Sequence, residues 1–332
     1  MCVRKFLERA SDQRYIAAMY SSTVSSGQAA LYKSTDGFSW SVLKTIMNGS
    51  SYTAGTLETK DFIVRDDGKF IVYCVTGHNT RTRKIIAFVS DTTDPTGTWS
   101  LAAGYTAGVI INTTSYLDQK YSIKTYRVGD TYFHLVTIYV SNNTINPETS
   151  REGGYFSGFR LFTSRDGLAM TELDTLWAER GTYPTDWDSG LMQPGIDVYR
   201  FGDDWRIPYF GGNVLHDAAT KPFSLGFLTV PFRRIGQVAS TGSFVTDEIT
   251  TSDALLINCN AVGGGIEVEL LDPSDDSVLT GYAQSDCDDI AVNQYEHVVK
   301  WAGASQLPEG NFKIKFYMTD AIIYSYSICE WQ

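Results

Sequence analysis

Short apolar runs alternate along this chain with turns rich in Gly, Asp, Asn and Pro, as in "KIIAFVSDTTDPTGTW". The runs have the length of β-strands, about four to nine residues, and hardly any window carries the 3.6-residue period of a helix. The pattern predicts an all-β protein.

The predicted strands group into four units with one plan: a strand, a tight turn, an aromatic-rich strand, a variable loop and a third strand. The units span residues 14–45, 60–104, 120–173 and 193–235. Short antiparallel strands repeated at intervals of about 45 to 65 residues are typical of β-propeller blades. We therefore predict a β-propeller over residues 1–238, with four visible blades and room in the pattern for a fifth.

The sequence pattern changes after residue 235. A polar connector is followed there by segments in which apolar and polar residues alternate. Apolar Ile266, Val268 and Leu270 alternate with acidic residues. In "FKIKFYM", which begins at Phe312, apolar residues alternate with lysines in the same way. Such alternation marks strands with one buried face. We predict a second domain, a jelly-roll-like β-sandwich, over residues 239–332.

The stretch "KSTDGFSW", Lys33 to Trp40, returns in altered form as "TSRDGLAM". In both, Gly directly follows Asp, whereas the sialidase box has a residue between them. Asp in such a turn accepts hydrogen bonds from the backbone, and Gly supplies the left-handed conformation. The stretch predicts a blade-corner turn, not a sialidase site.

Bulk charge narrows the classes of partner. The formal net charge of −11 over 332 residues argues against nucleic acid and against insertion into membranes. The N-terminal "MCVRKFLERA" lacks the apolar core of a secretory signal, so we expect cytoplasmic synthesis. Five dispersed cysteines without a CxxC pair read as small buried hydrophobes, and His134 in "TYFHLVTIY" reads as a satisfied strand histidine.

The plan of "DDGKFIVYCVTG" followed by "IIAFVSDTTDPTGTW" resembles the blades of the five-bladed glycosidase propellers, the clan of arabinanases, β-xylosidases, invertases and fructanases. The C-terminal "GIEVELLDPSDDSVLTGYAQSDCDDI" and "NFKIKFYMTDAIIYSYSI" are similar to a β-sandwich appended to such propellers in bacterial proteins. The resemblance implies a carbohydrate ligand and, if the chain is active, glycoside hydrolysis.

Glycoside hydrolysis needs two carboxylates across the scissile bond. Inner strands of a propeller converge at the axis, so acids at their starts are the candidates. Asp61, Asp118 and Asp188 lie near the starts of the second, third and fourth inner strands, and we expect them at one equivalent position. The resemblance places a base on the first blade, but residues 1–10 contain no Asp, and Gln193 in "MQPGIDV" stands where the acid motif would need a carboxylate.

Other residues are candidates for binding. Trp187 and Tyr183 could stack on a sugar, and Gln193 and Arg65 could bond its hydroxyls. No metal site or cofactor is predicted; "DCDDI", Asp286 to Ile290, could bind Ca²⁺ but reads better as a surface turn.

The sequence thus favours a carbohydrate-recognising, glycosidase-like propeller without efficient hydrolysis. Its context could be a phage virion or tail that contacts host glycans, with other virion proteins or a second copy as partners. Two alternatives stay open: an exo-acting glycoside hydrolase using Asp61, Asp118 and Asp188, and a purely structural assembly protein.

Overall fold

The computed structural model describes thirteen parts of the chain, and all structural statements below concern these. They are residues 2–8, 15–20, 27–48, 57–77, 82–113, 115, 117–141, 154–195, 197–216, 218–231, 234, 237–250 and 253–329. Strands dominate them; the only helical turns among them are two three-residue 3₁₀ turns, at Thr106–Gly108 and Gln284–Asp286. The all-β class is confirmed.

Seventeen strands build four successive blades. Blade 1 has β1 (Cys2–Glu8), β2 (Tyr15–Tyr20), β3 (Gly27–Ser34) and β4 (Ser41–Asn48). Blade 2 has β5 (Leu57–Val64), β6 (Phe70–Thr76), β7 (Lys84–Ser90), β8 (Trp99–Leu101) and β9 (Val109–Ile111). Blade 3 has β10 (Gln119–Val128), β11 (Thr131–Val140), β12 (Tyr155–Ser164) and β13 (Thr171–Glu179). Blade 4 has β14 (Leu191–Pro194), β15 (Tyr199–Phe201), β16 (Asp204–Gly212) and β17 (Ser224–Pro231).

Within blades 1 to 3, consecutive strands pair in antiparallel meanders, the repeat of a β-propeller. A two-residue parallel contact between β3 and β5 joins blades 1 and 2 into one nine-stranded sheet. In blade 4 the inner strand is interrupted, because β14 and β15 both pair with β16, which also pairs with β17. The described residues therefore contain four blades.

Both faces of blade 2 are buried, which explains why "FIVYCVT" of β6 is apolar throughout. Ile71, Tyr73 and Val75 pack in one cluster with residues of blade 3. Val72 and Cys74 point the other way, into a cluster with blade 1. Burial on both faces replaces the usual apolar–polar alternation with a continuous apolar run.

The predicted blade-corner turn joins β3 to β4. The Asp36 carboxylate accepts the backbone amides of Phe38 and Ser39 at 2.8 and 2.7 Å, and the Ser34 hydroxyl accepts the amide of Gly37 at 2.8 Å. Gly37 has φ +78°, the left-handed conformation that favours glycine. The turn prediction is confirmed.

The same turn recurs between β12 and β13, where it meets a buried histidine. Asp166 accepts two backbone amides, and Gly167 again has φ +78°. Fully buried His134 lies between two hydroxyls, 3.0 Å from Thr125 Oγ1 and 2.8 Å from Ser164 Oγ. His134 is thus the satisfied strand histidine predicted from the sequence.

Six further strands follow the blades in the chain: β18 (Val238–Val245), β19 (Ile249–Thr250), β20 (Ala254–Asn260), β21 (Gly265–Leu271), β22 (Asn293–Val298) and β23 (Asn311–Cys329). The long β23 pairs with β21 along its first half and with β20 along its second. Asp320, with φ +45°, lies where the pairing changes. The predicted inward residues all lie in one core, including Ile266, Val268, Phe312 and Phe316, so a β-sandwich follows the propeller blades.

The chain forms two compact units, Met1–Tyr199 with Ile207–Leu228, and Arg200–Arg206 with Thr229–Gln332. The domain boundary expected between residues 238 and 239 stays a prediction. No helix among the described residues is long and apolar enough to span a membrane. Cys74 and Cys259 are buried free thiols, as the sequence predicts.

Candidate functional site

The starts of the inner strands mark one edge of blades 2 to 4, which we call the front edge. In each of these blades the inner strand begins there, at Leu57, Gln119 or Leu191. Because neighbouring strands are antiparallel, the second strand ends and the third begins at the same edge. Side chains at this edge are the ones that can form a shared site.

Blades 2 and 3 each have a β-bulge in the inner strand near the front edge, and the two bulges show which residues of the two blades are equivalent. The pairing skips Lys60 on β5, between Thr59 and Asp61, and skips Tyr121 on β10, between Lys120 and Ser122. Such an extra residue re-aims the side chains around it. Lys60 and Tyr121 therefore occupy matching positions in blades 2 and 3.

This register corrects the expectation that the aspartates share one position. Asp61 corresponds to Ser122, and the counterpart of Gln119 is Glu58. Asp118 directly precedes Gln119, so it is offset from the position of Asp61 by four residues, about 13 Å along a strand. A strand count from the sequence could not reveal this offset, because the bulges depend on the partner strand.

Asp61 is a structural carboxylate. Its side chain is 0% exposed and accepts the backbone amide of Thr125 at 2.6 Å. The Lys124 ammonium lies 3.3 Å from the other carboxylate oxygen and also donates to the Lys60 carbonyl at 2.9 Å. These contacts join the inner strands of blades 2 and 3.

Asp118 lies at the front edge in an ion-pair network. Its carboxylate is 2.6 Å from Lys120 Nζ and 3.1 Å from Arg160 Nη2, and Arg160 also contacts Glu172 at 3.2 Å. Burial lowers the pKa of Lys120, and the hydrogen bond to Asp118 opposes that shift. Two cations thus pair with Asp118 and hold its side chain against blade 3.

Asp188 is buried just before β14. It accepts the Tyr209 hydroxyl at 2.7 Å and the Gly181 amide at 3.2 Å. Burial, together with the bond to Asp188, raises the pKa of Tyr209. The carboxylates of Asp61, Asp118 and Asp188 therefore bond three separate sets of groups, and no hydrogen bond among the described residues joins them.

The predicted binding residues divide between two edges. Trp187 and Tyr183 lie in the loop between β13 and β14, at the front edge, and are 42% and 45% exposed. Gln193 lies on β14 and pairs with Phe210. Arg65 follows the last residue of β5, at the opposite edge, with Nε 3.5 Å from Asp67; the structure does not bring it to the front edge.

Four rings meet at the front edge between blades 3 and 4. Tyr121 Oη lies 2.8 Å from His216 Nε2, and the Tyr121 ring packs on Phe156 with centroids 4.7 Å apart. The His216 ring packs edge-on against Tyr139 at 5.1 Å and Phe156 at 5.6 Å. Tyr121 and His216 are half-buried, so one side of this group reaches solvent.

Cations flank these rings. The Arg83 guanidinium lies 5.3 Å from the Tyr121 centroid and 4.8 Å from that of Tyr139, and it donates to Gln119 Oε1 at 2.7 Å. Lys60 Nζ lies 4.7 Å from the Tyr121 centroid and 2.6 Å from Glu58. We call Lys60, Arg83, Tyr121, Tyr139, Phe156 and His216 the aromatic–cation cluster.

Buried hydroxyls lie on the same strand as Tyr139. Thr137 and Ser141 flank it at alternate positions of β11 and its end, so all three share one face. The hydroxyls of Thr137 and Ser141 are buried and have no hydrogen-bond partner among the described residues. Since an unbonded buried hydroxyl is costly, this seam suits a polar ligand or solvent.

Sequence reasoning missed the aromatic–cation cluster. Neither Tyr121 nor His216 lies in a recognisable sequence motif. The cluster draws on three blades, so only the tertiary structure assembles it. Among the described residues, no group of His, Cys, Asp and Glu is arranged to hold a metal ion.

Comparison with known proteins gives likeness of structure only. No family model and no curated protein matches the sequence. A glycoside hydrolase family 43 arabinoxylan arabinofuranohydrolase from Bacillus subtilis, solved with cellotetraose, has 12% identity and a TM-score of 0.39, over 98% of this chain and 79% of that one.

Two further structures are similar to this chain, also at 12% sequence identity. A family 43 endo-arabinanase from Bacillus licheniformis has 12% identity and a TM-score of 0.45, over 68% of this chain and 70% of that one. An α-L-arabinofuranosidase from Lactobacillus brevis has 12% identity and a TM-score of 0.45, over 68% and 66%. At these values the likeness carries no assignment of activity.

Proposed function

We propose that this chain recognises carbohydrate at the front edge of its propeller blades, without efficient hydrolysis. The observation that carries the proposal is half-buried Tyr121, which is hydrogen-bonded to His216 and has the buried cations Lys60 and Arg83 against its ring. Sugar sites combine a ring for the C–H face with a few fixed polar groups for the hydroxyls. Tyr121 and His216, the half-buried members of the cluster, are the ring and the polar group that we propose for these two roles.

The contacts of Asp61 and Asp118 support the second half of the proposal, the absence of efficient hydrolysis. A glycosidase needs one protonated and one ionised carboxyl group facing the same bond. Asp61 is fully buried against Lys124 and Thr125, and Asp118 is paired with two cations. Both carboxylates are thus occupied by contacts within the protein.

The biological setting that we propose is a phage virion or tail contacting host glycans, with assembly partners in the particle. It is supported by the all-β build and by a net charge of −11, which disfavours nucleic acid as a partner. Association with particles in a fractionated lysate tests it.

A glycan array with purified protein tests the binding function. We expect saturable signal that Tyr121→Ala reduces roughly tenfold or more. The matched control is Phe38→Ala, which removes a highly exposed ring from the corner turn of blade 1, at the edge opposite the strand starts. Signal that is absent, or equally reduced by both substitutions, would overturn the proposal.

A parallel assay separates binding from catalysis. Over a panel of aryl-glycosides and oligosaccharides, we expect no turnover. Turnover that Asp118→Asn abolishes would establish the exo-acting hydrolase instead. Neither turnover nor glycan signal, with a defined oligomer or particle position, would establish the structural role.

A further inference from the structure

Trp187 is held in place by two glycines on neighbouring strands. A Cβ atom added to Gly211 on β16 would lie 2.6 Å from Cζ3 of the indole, and one added to Gly226 on β17 would lie 2.5 Å from Cη2. Real Cβ contacts are never that short, so any other residue at either position would push the indole away. The two glycines form a floor on which Trp187 lies.

The indole is also fixed from the side. Tyr209 packs against it with centroids 5.3 Å apart, and the Tyr209 hydroxyl is bonded to Asp188, the next residue after Trp187. A ring whose position is set before binding loses little conformational freedom on contact with a ligand. Yet Trp187 remains 42% exposed, so this support holds it at the surface.

The loop before Trp187 carries polar side chains. It is closed by hydrogen bonds from the Thr182 amide to Asp186 and from the Thr185 hydroxyl to the Thr182 carbonyl. Hydroxyls, a carboxylate and the exposed Tyr183 ring thus lie within five residues of Trp187 in the chain. Such a loop suits a ligand with an apolar face and many hydroxyls.

The floor lies near the aromatic–cation cluster. Gly190 comes three positions after Trp187, at most about 11 Å along the chain, and its carbonyl accepts the amide of Phe156 at 3.0 Å. The Phe156 ring packs on Tyr121 with centroids 4.7 Å apart. A short series of contacts thus connects the two rings, and an extended ligand is the kind that could contact both.

We propose that Trp187 is a second stacking subsite and that the ligand is an oligosaccharide of several sugar residues, one on Tyr121 and another on Trp187. The inference rests on the proposed carbohydrate function and adds the length of the ligand to it. It also gives Gly211 and Gly226 a role, as residues that keep the indole in its binding position.

Calorimetric titration tests it with cellotetraose, xylotetraose and arabinotetraose, each beside its monosaccharide. We expect at least one tetrasaccharide to bind, with Trp187→Ala weakening it roughly tenfold and leaving the monosaccharide unaffected. Trp187→Leu, which keeps apolar packing on the glycines, should lose the same affinity. Gly226→Ala should weaken the tetrasaccharide too, whereas Gly265→Ala, where an added Cβ meets only ordinary contacts, should not.

The outcomes are separable. Tetrasaccharide affinity that survives Trp187→Ala and Trp187→Leu but falls with Tyr121→Ala overturns this inference and leaves the carbohydrate function standing. Absence of binding by the unsubstituted protein to all six saccharides, together with a blank glycan array, overturns both.

Discussion

The Asp61 carboxylate accepts the backbone amide of Thr125 at 2.6 Å, so a side chain of one blade completes the hydrogen bonding of the next blade's inner strand. Lys124 closes the same contact from 3.3 Å, and neither charge reaches solvent. Asp61, a candidate catalytic residue in the sequence, therefore makes structural contacts that connect two blades.

Asp61→Asn should destabilise the propeller blades severely, because it leaves the Lys124 ammonium buried beside an amide. Breaking a buried ion pair on one side costs about 3–5 kcal/mol. Denaturant unfolding of the full chain measures it, with Asp130→Asn as control, since the exposed pair of Asp130 with Arg165 contributes about 0–1 kcal/mol. Equal losses in the two variants would contradict a structural role for Asp61.

Asp36 should make the protein more stable in mildly acidic than in strongly acidic solution. The amides of Ser39 and Phe38 and the hydroxyl of Ser34 hold the pKa of Asp36 below its ordinary value of 3.8. A lowered pKa adds stability that is complete above the unfolded value and is lost as pH falls below it. Thermal unfolding from about pH 5 to about pH 2 should show a shallower decline for Asp36→Asn; an unchanged decline would refute the assignment.

Tyr121→Phe should distinguish the contribution of the Tyr121 hydroxyl to glycan binding from that of the ring. The variant keeps the contacts of the ring with Lys60 and Arg83 but loses the 2.8 Å bond to His216. One neutral hydrogen bond within the protein contributes about 1 kcal/mol to folding stability, so we expect a small loss of stability and a smaller fall of glycan signal than for Tyr121→Ala. A fall as large as that of Tyr121→Ala would mean that the hydroxyl, not the ring, carries binding.

Cys74 should be inert while the protein is folded. Burial raises the pKa of the Cys74 thiol to about 12, and alkylation requires the thiolate. Peptide mapping after iodoacetamide at about pH 8 should find Cys74 unmodified in native protein and modified in denaturant. Half-buried Cys287, whose pKa burial raises to about 11, is the internal comparison. Rapid native labelling of Cys74 would contradict its burial between blades 1 and 2.

Much of the fold was predictable because its signals are local. The hydrogen bonds of the Asp36–Gly37 turn lie within residues 34–39. The apolar–polar alternation from Phe312 to Met318 identifies which face of that strand is buried. The buried environment of His134 also followed from the apolar strand that carries it. Such features depend on neighbours within a few residues, so the chain order contains them.

The candidate site was predictable only in part. Trp187, Tyr183, Asp118 and Asp188 do lie at the front edge, where the inner strands begin. The equivalence expected between Asp61 and Asp118 was wrong because bulges skip Lys60 and Tyr121. A bulge is a property of two paired strands, so it has no reliable signature in one of them.

The sequence by itself determined the β class, the repeat of the blades, their corner turns and the inward faces of the second unit. Only the tertiary structure decided that Asp61 is buried in a joint while Tyr121 and His216 meet at an edge, 95 residues apart in the chain. The physical reason is that burial and contact between blades arise from packing across long sequence separations, whereas turns and strand faces arise from chain geometry over a few residues.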